Sequence, residues 1–385
     1  MRILYRTTAI ADGTGPDLLL DRSVLVADGR VEWMGHDDEA PHDHEADRII
    51  DAGGTSLVPG LVDAHSHTTL PGGSHWIDRI EDSTDELLAA ADENGEIAHR
   101  AGIRWFRDVG APPRDGRALS LTVRDAWAGR RDRPYIRAAG TWIERGSGFG
   151  FSVSVEDGDG VEAVVAKQID DGADLIKLYI EGPNPDVSTW TIGEVERAVA
   201  VATERGVPAT AHATNLASVR AAVAGGVDCV EHGTHLDTEL AADMAARGTY
   251  LVPTLAIGSS WASFGSTTTI ERFTTGENTT RIAERTELAY ESLRLAIDAG
   301  VTIAAGTDFG GGSLRANHLA WEVEHLVNAG MEPWQALGAA TWVGGDLLRE
   351  PEAGKISVGG PADFFFVHGN PLQDPSALWR VWKVA

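Results

Sequence analysis

The segment Gly60-Leu-Val-Asp-Ala-His-Ser-His67 places two histidines at the end of an apolar run. Residues i and i+2 of a strand point to the same side, so the imidazoles of His65 and His67 can face the same space. Imidazole is the commonest side-chain ligand of transition metals, and two on one face can chelate an ion. The pair therefore predicts a metal site. A second pair, in Pro41-His-Asp-His44, lies in an acidic polar stretch and is interpreted as surface.

Four further candidate ligands follow or interrupt apolar runs, namely Lys177, His212, His232 and Asp308. A free ammonium group is costly to bury, whereas a lysine carboxylated by carbon dioxide is an anion whose two oxygens can bridge two metal ions. The alternative for Lys177 is a side chain that extends to solvent from a strand end. Asp308 ends the run Ala305-Gly-Thr-Asp308 and is the natural candidate for a general base.

The elements that carry these residues repeat a helix–glycine–strand rhythm. Glycine at a helix C-terminus supplies a left-handed cap, and strands apolar on both faces that alternate with helices indicate a parallel sheet covered by helices. Five strands begin at Gly172, Gly206, Gly226, Gly248 and Gly300, and three earlier ones are predicted at 57–63, 103–109 and 135–139. Eight such strands predict an α/β fold of the (β/α)8 TIM barrel type, in which the active site lies at the C-terminal strand ends.

Both ends of the chain are rich in short strands and turns. Residues 1–57 and 353–385 are predicted to combine into a small composite β-sandwich domain, with the metal-dependent barrel at 58–352. Residues 258–280 are rich in Ser, Thr and Gly and predict a long loop after the seventh strand, and residues 281–299 predict a helix.

Composition narrows the classes of function. The net charge of −26 repels nucleic acid and anionic membranes, which excludes them as expected partners and favours a small-molecule substrate. Cys229 is the single cysteine, so no intramolecular disulfide can form. The absence of a signal-peptide core or a membrane-spanning run predicts a cytoplasmic protein. Assembly into a homo-oligomer is left open.

In combination, these residues resemble the amidohydrolase superfamily. The opening Pro59-Gly-Leu-Val-Asp-Ala-His-Ser-His67 and the closing Gly354-Lys-Ile-Ser-Val-Gly-Gly-Pro-Ala-Asp-Phe364 carry the resemblance together with the single positions. It implies two divalent metal ions, with zinc as the first choice and manganese, iron or cobalt as alternatives, and N6-carboxylysine at Lys177. The implied metal ligands are His65, His67, Lys177, His212, His232 and Asp308.

The resemblance implies hydrolysis of an amide bond of a small molecule by a metal-bridging hydroxide, with Asp308 as the catalytic proton carrier. Within the superfamily, the segments Tyr250-Leu-Val-Pro-Thr-Leu255 and Asn328-Ala-Gly-Met-Glu-Pro333 are similar to the branch of prolidase-like peptidases that act on C-terminal residues. The loop at 141–150 lacks the histidine of that branch's Gly-Gly-His-Gly phrase, and the loop at 309–317 also departs from its pattern.

Loops at the predicted barrel mouth supply candidates for substrate binding. An arginine there could hold a substrate carboxylate. The candidates are Tyr179, Glu144, Arg145, Arg315, Asn317 and, close to a metal ligand, His235. Trp142, Phe149 and Trp261 could line an apolar pocket, although core packing is the commoner use of such residues.

Other functions on the same scaffold are a lactonase or esterase, which would use the same two-metal set, and a ring deaminase. Deaminase-type members usually use one metal and lack the lysine, so Lys177 argues against them. A metal-free structural relative is the remote alternative, because such relatives typically lose ligands and none of the six is missing here.

Overall fold

The computed structural model describes residues 1–145, 152–155, 160–182, 184 and 186–385, which form a mixed α/β fold. The strands are β1 (Arg2–Ile10), β2 (Leu19–Ala27), β3 (Arg30–His36), β4 (Arg48–Asp51), β5 (Thr55–Pro59), β6 (Leu61–Ser66), β7 (Ile103–Asp108), β8 (Pro113–Arg114), β9 (Arg117–Ala118), β10 (Tyr135–Ala138), β11 (Ile143–Arg145), β12 (Val153–Val155), β13 (Ile176–Tyr179), β14 (Ala209–Ala213), β15 (Cys229–His232), β16 (Tyr250–Val252), β17 (Phe364–His368) and β18 (Val381–Val384). The helices are α1 (Thr84–Arg100), α2 (Leu119–Trp127), α3 (Val161–Asp170), α4 (Ile192–Glu204), α5 (Leu216–Ala224), α6 (Thr238–Arg247), α7 (Ala256–Ser263), α8 (Glu271–Thr274), α9 (Gly276–Ala299), α10 (Leu319–Ala329), α11 (Pro333–Ala339) and α12 (Trp342–Leu347).

Both ends of the chain contribute to one seven-stranded sheet. Its order is β18-β17-β5-β1-β2-β3, with β4 parallel to β1. Strand β17 runs antiparallel to β5, from Phe364 opposite Pro59 to His368 opposite Thr55. A composite sheet built from the two termini is therefore observed. The second layer of a sandwich and the boundaries at 57/58 and 352/353 stay predictions.

A buried ion pair attaches this sheet to the rest of the molecule. Arg104 on β7 donates from Nε to Asp363, which precedes β17, over 3.1 Å, and both side chains are almost fully buried. A further Arg104 nitrogen donates to the carbonyl of Arg131 over 2.8 Å. The pair thus connects segments 259 residues apart in the chain.

Replacing Asp363 with alanine is expected to lower the free energy of unfolding by about 1–3 kcal/mol, because Arg104 would lose its buried carboxylate but keep a carbonyl acceptor. Denaturant titration measures the change. Asp170→Ala removes an exposed ion pair with Arg205 and is expected to cost less than about 1 kcal/mol. Equal losses in the two variants would show that burial of the Arg104 pair contributes nothing.

The central strands are parallel and buried. One sheet has the order β10-β7-β6 and the other the order β12-β11-β13-β14-β15-β16, with every neighbouring pair parallel. All six residues of β6 are buried, as expected for a strand covered on both faces. The predicted glycine caps are confirmed at Gly248 and Gly300, whose φ angles of 71° and 78° are left-handed. The carboxyl ends of these strands point to one side of the molecule.

The predicted long loop at 258–280 is wrong. The segment holds most of α7, a 3-10 helix at Phe264–Ser266, α8 and the start of α9, which begins at Gly276. Short helices gain most of their stability from packing, and here Ile257 and Phe273 are buried in the fold. These packing contacts cannot be predicted from the local Ser/Thr/Gly composition, which is why the sequence pattern resembled a loop. No helix in the described part of the chain is both long and apolar enough to cross a membrane.

Candidate metal centre and active site

Histidines from three strands meet at their carboxyl ends. The ring centroids of His65 and His67 lie 5.4 Å apart, those of His65 and His232 4.9 Å, and those of His212 and His232 4.6 Å. Asp308 Oδ1 lies 3.2 Å from His67 Nε2 and 3.4 Å from His65 Nε2. One ligand atom each from His65, His232 and Asp308 lies within 4.8 Å of the others. The structure thus brings the predicted histidines and Asp308 together.

Two of these residues have unusual backbone conformations. His232 and Asp308 have φ angles of 70° and 59°, in the left-handed region that non-glycine residues seldom adopt. Such residues cost about 1–3 kcal/mol each and persist only where the surroundings hold them. The amide of Asp308 donates to the carbonyl of His65 over 2.8 Å, which holds the aspartate beside the strand end of β6.

Hydrogen bonds orient the imidazoles. His65 Nδ1 lies 2.7 Å from Glu231 Oε2, and His67 Nδ1 lies 2.8 Å from the carbonyl oxygen of Gly110. Both oxygens accept, so each Nδ1 carries a proton and Nε2 of each ring is the atom that faces Asp308. His232 Nδ1 contacts the hydroxyl of Thr254 over 2.7 Å. Partners of this kind fix the tautomer of metal-binding histidines.

Glu231 and Arg107 form a buried charged network beneath this cluster. Arg107 donates over 2.6 Å to Glu231 Oε1 and over 3.0 Å to the carbonyl of Ala64, and the hydroxyl of Thr210 donates to the same Oε1. Burial raises the pKa of Glu231, but the charges of Arg107 and Lys177 outweigh it and hold that pKa well below its usual range. Glu231 is therefore an ionised acceptor for His65.

Sequence reasoning missed both Glu231 and Arg107. Each is a charged residue within a buried strand, β15 or β7. That signal was visible in the sequence, although it did not indicate that the two side chains pair with each other.

Asp63 holds the position of Asp308. Its carboxylate accepts from the amide of Thr307 over 3.0 Å, from the hydroxyl of Thr307 over 2.6 Å and from the amide of His65 over 3.2 Å. Burial raises the pKa of Asp63 to about 6, against the hydrogen bonds, which lower it. Asp63 thus binds both Thr307, the residue before Asp308, and the backbone of His65. These hydrogen bonds hold His65 and Asp308 in place relative to each other.

Lys177 lies on β13 and lines the same cavity, with its side chain almost fully buried. Within the described residues its ammonium group has no hydrogen-bond or ion-pair acceptor. Burial lowers the pKa of Lys177 to about 8. The amine therefore lies at the cavity wall without a protein acceptor in the described part of the chain.

Tyr179 and Glu181 flank His212. The ring of Tyr179 stacks on that imidazole with centroids 4.2 Å apart, and Glu181 Oε2 lies 3.3 Å from its Nε2. Glu181 also accepts from the hydroxyl of Thr214 over 2.8 Å and the amide of Asn215 over 2.7 Å. Burial raises the pKa of Glu181, but His212 and the backbone amides of Thr214 and Asn215 outweigh this effect and bring the pKa to about 2. Sequence reasoning missed Glu181, which stands four residues after Lys177.

A cavity of about 500 Å³ opens above the cluster. Its floor carries the metal-ligand candidates, Tyr179 and Glu181, and three arginines, Arg272, Arg281 and Arg285, lie on its wall. The apolar lining consists of Leu70, Trp76, Ile77, Ile80, Trp142, Ile257, Trp261, Phe273 and Ile282. Trp142 and Trp261 therefore line the cavity, whereas Phe149 lies outside the described residues.

Of the six residues predicted to bind substrate, only Tyr179 is part of the described cavity lining. Glu144 accepts a hydrogen bond from Ser152. Arg145 pairs with Glu194, and its guanidinium lies 5.8 Å from the ring centroid of Trp190. Arg315 pairs with Glu93 over 2.6 Å. Asn317 and His235 also stand outside the described lining.

Comparisons with known proteins give consistent results. Residues 56–384 match the model of the amidohydrolase family. An uncharacterised protein of Mycobacterium tuberculosis is 31% identical over 86% of this chain and 84% of its own length. Imidazolonepropionase of Salinispora tropica is 29% identical over 98% of this chain and 92% of its own. The crystal structure of a Xaa-Pro dipeptidase with bound methionine in its active site superposes with a TM-score of 0.85, at 26% identity, over 100% of this chain and 98% of its own.

Proposed function

Because the chain belongs to the amidohydrolase family, we propose that it is a metal-dependent hydrolase of amide carbon–nitrogen bonds in small molecules. Relatives that include an imidazolonepropionase and a Xaa-Pro dipeptidase support this reaction class. The observation that carries the proposal is the convergence of the histidines and Asp308 at the strand ends, on the floor of a cavity large enough for a small substrate.

The donor set fits a pair of divalent metal ions. Imidazole nitrogens and carboxylate oxygens are typical zinc ligands, and manganese, iron or cobalt are alternatives. The hydrogen bonds of His65 and His67 at Nδ1 direct Nε2 of both rings to the cluster, where it could bind a metal ion. The buried amine of Lys177 lacks an acceptor in the described part of the chain, which supports its conversion to N6-carboxylysine. The proposed ligands are His65, His67, Lys177, His212, His232 and Asp308.

When bound, the metal ions would activate a water molecule at neutral pH and polarise the substrate carbonyl. Asp308 is the proposed proton carrier, taking the proton from the water and delivering it to the leaving nitrogen. Burial raises the pKa of Asp308, but the imidazoles of His65 and His67 outweigh it and hold that pKa well below its usual range. Asp308 is therefore an ionised acceptor before the reaction begins, and the apolar walls limit the access of other water.

We further propose that the parallel strands close into the predicted eight-stranded barrel. The amide of Asp174, just before β13, donates to the carbonyl of Ala138 on β10 over 2.8 Å, which links the two parallel sheets. Isolated parallel bridges join Leu251 to Ile303 and Ser66 to Phe309, so the segment 303–309 would occupy the position of the eighth strand. These contacts support closure around the metal centre.

Metal removal tests the proposed function. Purified protein is assayed against N-acyl amino acids, dipeptides, cyclic amides and lactones, with metal content measured in the same sample. We expect about two zinc or similar ions per chain, turnover of an amide, loss of turnover after chelation and its return with added zinc or manganese. Turnover that survives complete metal removal, or hydrolysis of lactones alone, would contradict the proposal.

A further inference from the structure

Three arginines line one wall of the cavity, and none of them forms an ion pair with an acidic residue in the described part of the chain. Arg272 lies on α8, and Arg281 and Arg285 lie on α9. Arg272 donates to the carbonyl of Ser74, and Arg281 donates to the side chain of Asn278. Within the described ranges, no carboxylate oxygen lies within ion-pair distance of any of the three. The described residues therefore supply no negative charge to balance these three arginines at the cavity wall.

This arrangement is unfavourable in the absence of a ligand. Arg281 and Arg285 stand four residues apart on α9, where like charges destabilise a helix by about 0.2–0.5 kcal/mol. Helix α9 also carries four glutamates. Among the described residues, the ion pair between two side chains of this helix is that of Glu287 with Arg294, whose atoms lie 3.5 Å apart outside the cavity lining. The chain has 58 acidic and 32 basic residues, so acidic partners are abundant. Two arginines on a cavity wall that pair with no carboxylate of the described residues therefore indicate an anionic ligand.

Arg285 lies close to the reacting end of the cavity. Its guanidinium carbon is 5.5 Å from the ring centroid of Trp261, a contact that holds the side chain against the cavity wall. Arg285 also lines a small adjoining pocket together with His232 and Thr254, which places it near the metal-ligand candidates. An anion bound to Arg285 would thus sit beside the scissile bond, with Arg281 one helical turn away.

We propose that Arg285, assisted by Arg281, binds a carboxylate of the substrate, and that the substrate is an amide that carries both this carboxylate and a bulky apolar group. Guanidinium and carboxylate match in planar, bidentate geometry. The apolar group would occupy the wall formed by Leu70, Trp76, Ile80 and Phe273. This inference rests on the proposed amide hydrolysis and adds to it the chemical class of the substrate.

A matched pair of probes tests the assignment. N-benzoyl-leucine carries a free carboxylate, and N-benzoyl-leucinamide is its neutral analogue. For both, release of benzoate is measured. We expect the wild-type enzyme to prefer the carboxylate, and Arg285→Met to lower kcat/KM for it about 10- to 100-fold, the value of a hydrogen bond between charged groups. The neutral analogue is expected to lose much less, because it offers Arg285 no carboxylate, so the ratio of the two losses measures the carboxylate contact. Wild-type metal content and an unchanged far-ultraviolet circular dichroism spectrum show that the variant is folded.

The matched control is Arg294→Met, which removes an exposed arginine from the same helix outside this cavity and is expected to leave the preference unchanged. Equal turnover of the two probes by the wild-type enzyme, or an equal loss for both in Arg285→Met, would overturn the carboxylate assignment while amide hydrolysis stands. Calorimetric binding of N-benzoyl-leucine that needs Arg285, without turnover of either probe, would support the subsite and count against the proposed function. Absence of binding as well would overturn the subsite.

Discussion

Replacing Asp308 with asparagine is expected to lower kcat/KM for an amide substrate by about 10²–10⁴-fold, the usual contribution of a positioned proton carrier. Asparagine has nearly the same shape and tolerates the left-handed φ of 59° at this position. It cannot accept and return the proton, because its amide has no basic oxygen at neutral pH. Steady-state kinetics on the substrate found in the panel measures the loss, and metal analysis of the same variant separates a proton-transfer defect from a binding defect.

Asp298→Asn is the matched control, because Asp298 is an exposed residue of α9. It is expected to retain wild-type kinetics. If Asp308→Asn with a full metal complement hydrolyses the substrate at more than about a tenth of the wild-type rate, the proposed role of Asp308 is wrong, since positioned proton transfer is worth at least about a hundredfold.

Replacing Glu231 with glutamine is expected to lower both stability and metal affinity. The buried guanidinium of Arg107 would lose the negative charge of the Glu231 carboxylate. This loss is expected to cost about 3–5 kcal/mol in the free energy of unfolding of the metal-free protein. A glutamine that keeps its oxygen toward Arg107 turns its NH₂ group toward His65 Nδ1. That imidazole would then carry its proton on Nε2 and could not use it as a ligand, so metal affinity is expected to fall about 10- to 100-fold.

Denaturant unfolding and metal titration measure the two effects separately. Glu93→Gln is the matched control, because it alters an exposed pair with Arg315 of the same 2.6 Å length. It is expected to cost less than about 1 kcal/mol and to leave metal affinity unchanged. Wild-type metal affinity in Glu231→Gln would show that His65 does not depend on this carboxylate for its tautomer.

The chemistry of the site was visible in the sequence because its donors follow strands. A strand pattern specifies which residues leave a strand at its carboxyl end, and parallel strands bring those ends to one side. His65, His212 and His232 could therefore be assigned to one cluster from local patterns, and the structure brings them together.

The substrate-contacting wall could not be predicted in the same way. Arg145 and Arg315 stand beside predicted strand ends, yet they pair with Glu194 and Glu93. The cavity is instead lined by Arg281 and Arg285, from a region whose start resembled a loop. Where such a segment packs depends on which distant side chains bury its apolar residues, as Phe273 is buried here. The local hydrophobic pattern does not show these distant contacts.

Residue types and strand periodicity thus sufficed to predict that the histidines and Asp308 lie together, and the resemblance to a family supplied the expected reaction class. Folding across long sequence separations added what holds those donors in place, above all the contact of Glu231 with His65, 166 residues away. It also selected the arginines that line the cavity. Both outcomes depend on contacts between distant segments, where the packing of the whole molecule outweighs local preference.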